Sequence, residues 1–228
     1  MTSIIDDESL SKALTALGQI DGDFARALDE VGPPPLRNRP HGFPTILRII
    51  VAQQVSLASA QAIWDRLEAA CQPLEPTGLL ALGEEGLRTV GFSRQKIRYS
   101  LSFAELFESG ELNPLLLDAQ EDEEAIASLT KVKGIGRWSA EVYLLFAMGR
   151  PDVFPADDVG LMMGAERLKR LNERPSAKAL RAMADEWRPW RAAAARMLWH
   201  YRQKAALPED ASESSTPCRP RPLRCVGR

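Results

Sequence analysis

Two acids stand side by side in VFPADDVGLMM, Val153 to Met163. They fall at the start of a predicted helix, where the positive end of the dipole favours an ionised carboxylate. Residue types alone leave two readings. One acid caps the helix while the other is solvated, or a fixed anion stabilises positive charge on a substrate and orients or deprotonates water. Upstream, Gly134-Ile135-Gly136 lies inside LTKVKGIGRWSAEVYLLF, Leu129 to Phe146, where one predicted helix ends and another begins. Two glycines permit a tight turn and a close approach of backbone to a ligand. The free N–H groups opening the second helix make an anion site. Ile135 can anchor the turn in the core, and Lys131, Lys133 and Arg137 flank it with positive charge. Such a device holds a phosphate backbone without reading its sequence.

The elements that must position these groups are helices. Leu10, Leu14 and Leu17 recur at helical spacing, with Ser9 as the expected cap. Val31 to Pro44, with five prolines and Gly32 and Gly42, reads as a connector. A strong helix starts at Pro44 or Thr45, with Ile46, Ile49, Ile50 and Val55 as its stripe, and Leu57 to Ala70 forms another. Leu79–Leu82 and Glu84–Val90 are short pieces, the second stopped by Gly91. Arg94–Ser109, Glu121–Leu129, Arg137–Met148, Asp157–Leu171, Ser176–Trp187 and Pro189–Ala205 follow, Pro189 being expected in a first turn. No alternating strand pattern and no repeat interrupts them, so the fold class is all-α. Residues 208–228, rich in Pro, Ser and charge, are expected to be a disordered tail.

Composition narrows the chemistry. Three cysteines, Cys71, Cys218 and Cys225, cannot build a four-cysteine zinc or iron–sulfur site or a disulfide framework. His41 and His200 are too few for a His-rich metal centre. The start, MTSIIDDESL, lacks a basic and apolar leader, and the longest apolar run, Val142–Met148, is too short to span a membrane. A cytoplasmic, nucleoid-associated location is expected. The net charge of −2 conceals segregation. Residues 1–30 hold seven acids and two bases, and residues 118–124 five acids and no base. Residues 166–204 hold eleven Lys/Arg against four Asp/Glu, and Arg88, Arg94, Lys96 and Arg98 form a smaller basic group. That pattern suits a phosphate backbone, or equally a solvated helix face.

Five segments in order, FPTILRIIVAQQVS, GFSRQKIR, the hairpin, FPADD and WRPWRAAAARMLWHY, span roughly residues 40 to 205. Together they resemble the helix-hairpin-helix DNA glycosylase superfamily, and GIGRWSA is most similar to its DNA-3-methyladenine glycosylase II branch. The resemblance implies a two-lobed helical fold with the active-site cleft between lobes. One lobe comprises about 1–44 plus 155–207, the other about 45–154 with the hairpin at 129–148. It implies a monomer acting on double-stranded DNA that contains damaged bases. The reaction is hydrolysis of the N-glycosidic bond of alkylated bases of the 3-methyladenine and 7-methylguanine type, in base excision repair, after the base is flipped from the stack.

Residue by residue, the resemblance makes Asp158 catalytic and Asp157 a cap or supporting charge. Trp138 and Trp199 become walls of the base pocket, where cation–π attraction for a charged alkylpurine contributes ~1–2 kcal/mol if desolvated. A family aromatic four residues after the first Trp is replaced by Val142, and adjacent Tyr143 becomes the third pocket candidate. Gln53 and Gln54 plug the gap left by the flipped base. Lys133, Gly134, Ile135, Gly136 and Arg137 hold the DNA backbone. Where lyase-competent relatives carry a Schiff-base lysine, this chain has Trp138, which implies a monofunctional enzyme that leaves an abasic site. No organic cofactor and no metal ligand set is implied, beyond a structural cation on hairpin carbonyls when DNA is bound. The alternatives are a glycosylase for oxidised or deaminated bases, a non-enzymatic helix-hairpin-helix DNA-binding module, and an all-α interaction domain without a DNA role.

Overall fold

Twelve α-helices and one 3-10 turn build the structure, a computed structural model that describes residues 3–205, among which there is no strand. Helix α1 (Asp7–Ile20) buries Leu10, Ala13, Leu14 and Leu17. Its cap is Asp6 rather than Ser9. Asp6 accepts from the Ser9 amide, and Ser9, three residues in, returns the bond as the second half of a capping box. Helix α2 (Gly22–Val31) is absent from the periodicity reading. It opens on Gly22 and carries charge on most of its turns, yet Asp21 caps it and Phe24 and Ala27 are buried.

Helix α3 (Phe43–Ala52) has Pro44 in its first turn and buries Ile46, Ile49, Ile50 and Val51. Val55, expected on that stripe, lies beyond the helix end and is exposed. Helix α4 (Leu57–Ala70) is capped by Ser56. The two short pieces expected next form a single kinked α5 (Pro76–Thr89), broken where Gly83 takes φ +64°. Helix α6 (Arg94–Glu108) is capped by Ser93, and an unexpected short α7 (Pro114–Ala119) precedes α8 (Asp122–Thr130). Helices α9 (Arg137–Phe146), α10 (Val159–Leu168), α11 (Ala177–Ala184) and α12 (Arg191–Lys204) complete the order, α11 running into a 3-10 turn at Asp185–Trp187. Pro189 precedes the α12 N-cap, Trp190, instead of lying in its first turn. The segment 208–228, with Cys218 and Cys225, lies outside the described residues.

The apolar side chains gather into two cores. Ile46, Ile50, Leu67, Leu87, Ile135 and Leu144 belong to the first, with Phe43 stacked on Phe103 at 4.7 Å between centroids. Leu14, Leu161, Leu180 and Met197 belong to the second, where Phe24 meets the edge of Trp187 at 5.0 Å. The chain passes between cores in the connector 32–42 and again at Val153-Phe154, whose side chains face opposite cores. Helix α9 belongs to both, with Ala140, Tyr143 and Leu144 in the first and Leu145 in the second. The Asp157-Asp158 turn therefore emerges at the junction. No helix of the described residues is long and apolar enough to cross a membrane.

One close helix pair governs that junction. A Cβ on Gly164 would stand 2.4 Å from the Leu198 carbonyl oxygen, so α10 and α12 meet backbone to backbone at that point. One turn earlier, a Cβ on Gly160 would meet Asp158 Oδ1 at 2.8 Å and Trp199 Cδ1 at 3.2 Å. Residues four apart share a helix face, and two glycines there bring α12 against the acid.

Candidate active site

Asp158 is the N-cap of α10. Its Oδ1 accepts from the Leu161 amide at 2.9 Å and from Trp199 Nε1 at 2.9 Å, and its Oδ2 accepts from Trp138 Nε1 at 3.1 Å. The carboxylate is thus held from both sides by indoles of two different helices, one from the hairpin and one from the last helix. The Trp138 ring is 40% exposed, whereas Trp199 is half-buried and stacks on Phe146 at 5.5 Å and 24°. Phe146 in turn lies under the Arg196 guanidinium at 4.7 Å. Arg196 is buried, donates to the carbonyls of Leu36 and Leu145 and to Asn38 Oδ1, and is lowered by burial to about 10. Capping, expected of Asp157, belongs to Asp158, because the residue directly before the first helical turn is the one whose oxygen reaches the third amide. Asp157 is exposed and accepts from Arg181 Nη2 at 3.2 Å.

The hairpin joins α8 to α9. Ile135 is buried and its amide donates to the Val132 carbonyl at 2.9 Å. Gly134 takes φ +91°, and a Cβ there would stand 2.3 Å from the Tyr99 ring, so both conformation and space require glycine. Gly136 caps α9 with no side-chain bond, which leaves the first-turn amides without a side-chain acceptor beside exposed Lys131 and Lys133. Gln53, the C-cap of α3, donates to the Gly134 carbonyl at 2.6 Å and fastens the hairpin. Gln54 is exposed at φ +54°, a conformation uncommon for a side-chain-bearing residue. Buried Lys96, held below the usual lysine range by its burial, donates to the Val51 carbonyl at 2.7 Å just before this turn.

Three sequence assignments receive different surroundings. Tyr143 is buried, its hydroxyl bonded to the Gly42 amide at 2.9 Å and to His41 Nδ1 at 2.6 Å, instead of lying beside Asp158. Five positions along a helix place it well over 100° around from Trp138, so it faces the core. Arg137 is spent inside the protein: it forks onto both Glu123 oxygens at 2.9 and 2.6 Å and donates to Glu141 Oε1 at 2.9 Å. Gln53 serves the hairpin rather than standing free with Gln54. The periodicity reading also missed Glu141, Phe146, Gly160, Gly164 and Arg181, which carry no motif of their own.

The basic stretch 166–204 is likewise largely consumed internally. Lys169 bridges Asp21 and Asp23, Arg188 and Arg191 hold Asp152, and Arg167 donates to the Arg202 carbonyl at 2.9 Å. Part of the charge segregation along the sequence is the acidic start of α2 meeting Lys169, the C-cap of α10. No group of three or more His, Cys, Asp or Glu that could hold a metal occurs among the described residues.

Residues 47–189 match the family model described as HhH-GPD superfamily base excision DNA repair protein. DNA-3-methyladenine glycosylase 1 of Schizosaccharomyces pombe is 34% identical over 199 residues, 84% of this chain and 87% of that protein. The structure of the Schizosaccharomyces pombe 3-methyladenine DNA glycosylase in complex with abasic DNA superposes with a TM-score of 0.76 at 32% identity, covering 85% of this chain and 98% of that one. A Bacillus halodurans DNA-3-methyladenine glycosidase structure gives 0.77 at 31% identity, covering 88% and 91%. YfjP of Bacillus subtilis is 30% identical over 163 residues, and the matched part makes up 68% of this chain but only 56% of YfjP.

Proposed function

The chain belongs to the HhH-GPD superfamily of base excision DNA repair proteins, and from that premise we propose that it is a monofunctional DNA glycosylase for alkylated bases, of the 3-methyladenine and 7-methylguanine type. It acts as a monomer on double-stranded DNA, flipping the damaged nucleotide from the stack. The observation that carries the reading is Asp158, an acid at the junction of the two cores held on both oxygens by the indoles of Trp138 and Trp199. The same two rings offer faces to a flat, positively charged base. Cleavage moves the bonding electrons onto the departing base and builds positive charge on the sugar, which the Asp158 anion stabilises while water adds at the anomeric carbon and gives up a proton to the carboxylate and then to solvent. Trp138 stands where a lyase needs its amine, so no Schiff base forms and the product is an abasic site.

Lys133 and the amides opening α9 hold a phosphate, and exposed Gln54, rather than Gln53, enters the gap in the duplex. The Val132 and Gly134 carbonyls each accept one protein bond and keep a second lone pair, which fits a structural cation between hairpin and phosphate. The test is release of 3-methyladenine and 7-methylguanine from methylated DNA, run beside Asp158→Asn. Asn caps a helix as well as Asp, so the variant should fold and bind DNA while excision falls by about 10²-fold or more. Excision by Asp158→Asn at the wild-type rate would remove the acid from the mechanism, and a borohydride-trapped enzyme–DNA adduct would remove the monofunctional assignment.

A further inference from the structure

Behind the acid runs a line of alternating charge that the mechanism above does not use. Glu123 on α8 takes the fork of Arg137, and Arg137 Nε reaches Glu141 Oε1 at 2.9 Å. Arg181 on α11 reaches the same oxygen at 3.1 Å with Nη1, and its Nη2 donates to Asp157 Oδ2 at 3.2 Å. The line begins at Glu123, passes through Arg137, the residue after the hairpin glycine, and ends at Asp157, the residue before Asp158. Its middle member, Glu141, is only 1% exposed, and its Oε2 has no partner. Burial raises its carboxyl against the pull of both arginines. A buried carboxylate is tolerated only when paired, so Glu141 fixes two arginines, one in each direction.

We propose that Arg181 is a positioning residue for base excision, setting the Asp157-Asp158 turn against hairpin helix α9 by bridging Glu141 and Asp157. This rests on the glycosylase reading given above. Trp138 also links α9 to Asp158, but that indole is exposed and stands where the base must enter. The Arg181 link is anchored at its Glu141 end inside the protein, so it can persist while Trp138 engages the base. A planar guanidinium presents Nη1 to Glu141 and Nη2 to Asp157 from one rigid fork, whereas a lysine ammonium gathers its donors at a single point and spans the gap less well.

The experiment measures single-turnover excision of 7-methylguanine at saturating enzyme, duplex affinity with an abasic-site analogue, and thermal midpoint. The variants are Arg181→Ala, Arg181→Lys, Asp157→Ala and Arg181→Ala/Asp157→Ala. Misplacing a catalytic group slows chemistry steeply, so the rate should fall about tenfold or more in Arg181→Ala, with partial recovery in Arg181→Lys. Asp157 is exposed and its removal should leave the thermal midpoint in place while still slowing excision. The double variant should be no slower than Arg181→Ala, because both residues act through one link. Duplex affinity should be nearly unchanged. Asp157→Ala at the wild-type rate, additive losses in the double variant, or weakened duplex binding at an unchanged rate would each overturn the assignment. A wild type that releases no alkylated base would instead overturn the function itself, and the assignment with it.

Discussion

At the residue scale the acid is defined by its donors. Asp158 Oδ2 takes its bond from Trp138, whereas Oδ1 has both Trp199 and the Leu161 amide. Trp138→Phe keeps a ring and removes the N–H, at an exposed position where little packing is lost. A bond to a charged acceptor contributes about 1.5–3 kcal/mol, less when exposed, so excision should fall about tenfold with the thermal midpoint nearly constant. Trp199→Phe should lower both, because that indole packs against the second core and stacks on Phe146. Single-turnover rates and melting curves check the pair, and Trp138→Phe at full activity would make the indole a wall only. The acid pair has an ordinary capping use at a helix start, and Asp158, Trp138 and the hairpin glycines were legible because the segments around them together resemble one family. Tyr143 and Arg137, expected at the same site, have other partners for physical reasons. Helical direction decides that Tyr143 faces inward, and although Arg137 and Glu141 are an i,i+4 pair that helical spacing allows, the fork of Arg137 onto Glu123 joins two helices whose approach no spacing rule reveals.

At the scale of elements, the site depends on two glycines that neither cap nor end a helix. Gly160 and Gly164 let α12 lie against α10, which carries Trp199 to Asp158. Adding one methyl at Gly164 forces it to within 2.4 Å of the Leu198 carbonyl oxygen, so the helices must part. Gly164→Ala should cost about 1–3 kcal/mol in denaturant unfolding, the range for overpacking a tight contact. It should also slow excision, since Leu198 and Trp199 are consecutive; loss of stability with full activity would show that the two effects are separable. Gly134→Ala tests the other helix junction, where a Cβ meets the Tyr99 ring at φ +91°. It should weaken duplex binding more than it slows the bound-state rate. Most helices were readable from periodicity and caps: α4 buries Ile63, Trp64 and Leu67 at helical spacing, and α9, buried on nearly all sides, is marked by the hairpin before it. Helix α2 keeps Phe24, Ala27, Leu28 and Val31 at helical spacing, but it is short and opens on Gly22, a residue that more often ends a helix than begins one. The α10–α12 contact was unreadable for a different reason: a glycine inside a helix signals space, but only the partner helix says what fills it.

At the scale of the molecule, the question is how much positive charge is left for DNA. From sequence alone, eleven bases in 166–204 look like a phosphate-binding face. In the fold, Lys169 neutralises Asp21 and Asp23, Arg188 and Arg191 neutralise Asp152, Arg181 serves Glu141 and Asp157, and Arg196 is buried on carbonyls. Linear charge segregation reports pairing between distant segments as readily as it reports a partner. The exposed cations around the hairpin are Lys131 and Lys133, with Arg94 and Arg98 exposed on α6, the helix whose Tyr99 covers Gly134. About four phosphates neutralised gives a logarithmic salt slope near −3.6, so a fourfold rise in salt should weaken duplex affinity about 150-fold. If the whole basic stretch faced DNA, about ten contacts would weaken it about 10⁵-fold over the same range. Titrating an abasic-analogue duplex across that range separates the two. A slope near −9 would mean that the internal ion pairs of α10 to α12 open on binding, and would move the DNA footprint from the hairpin to the second core.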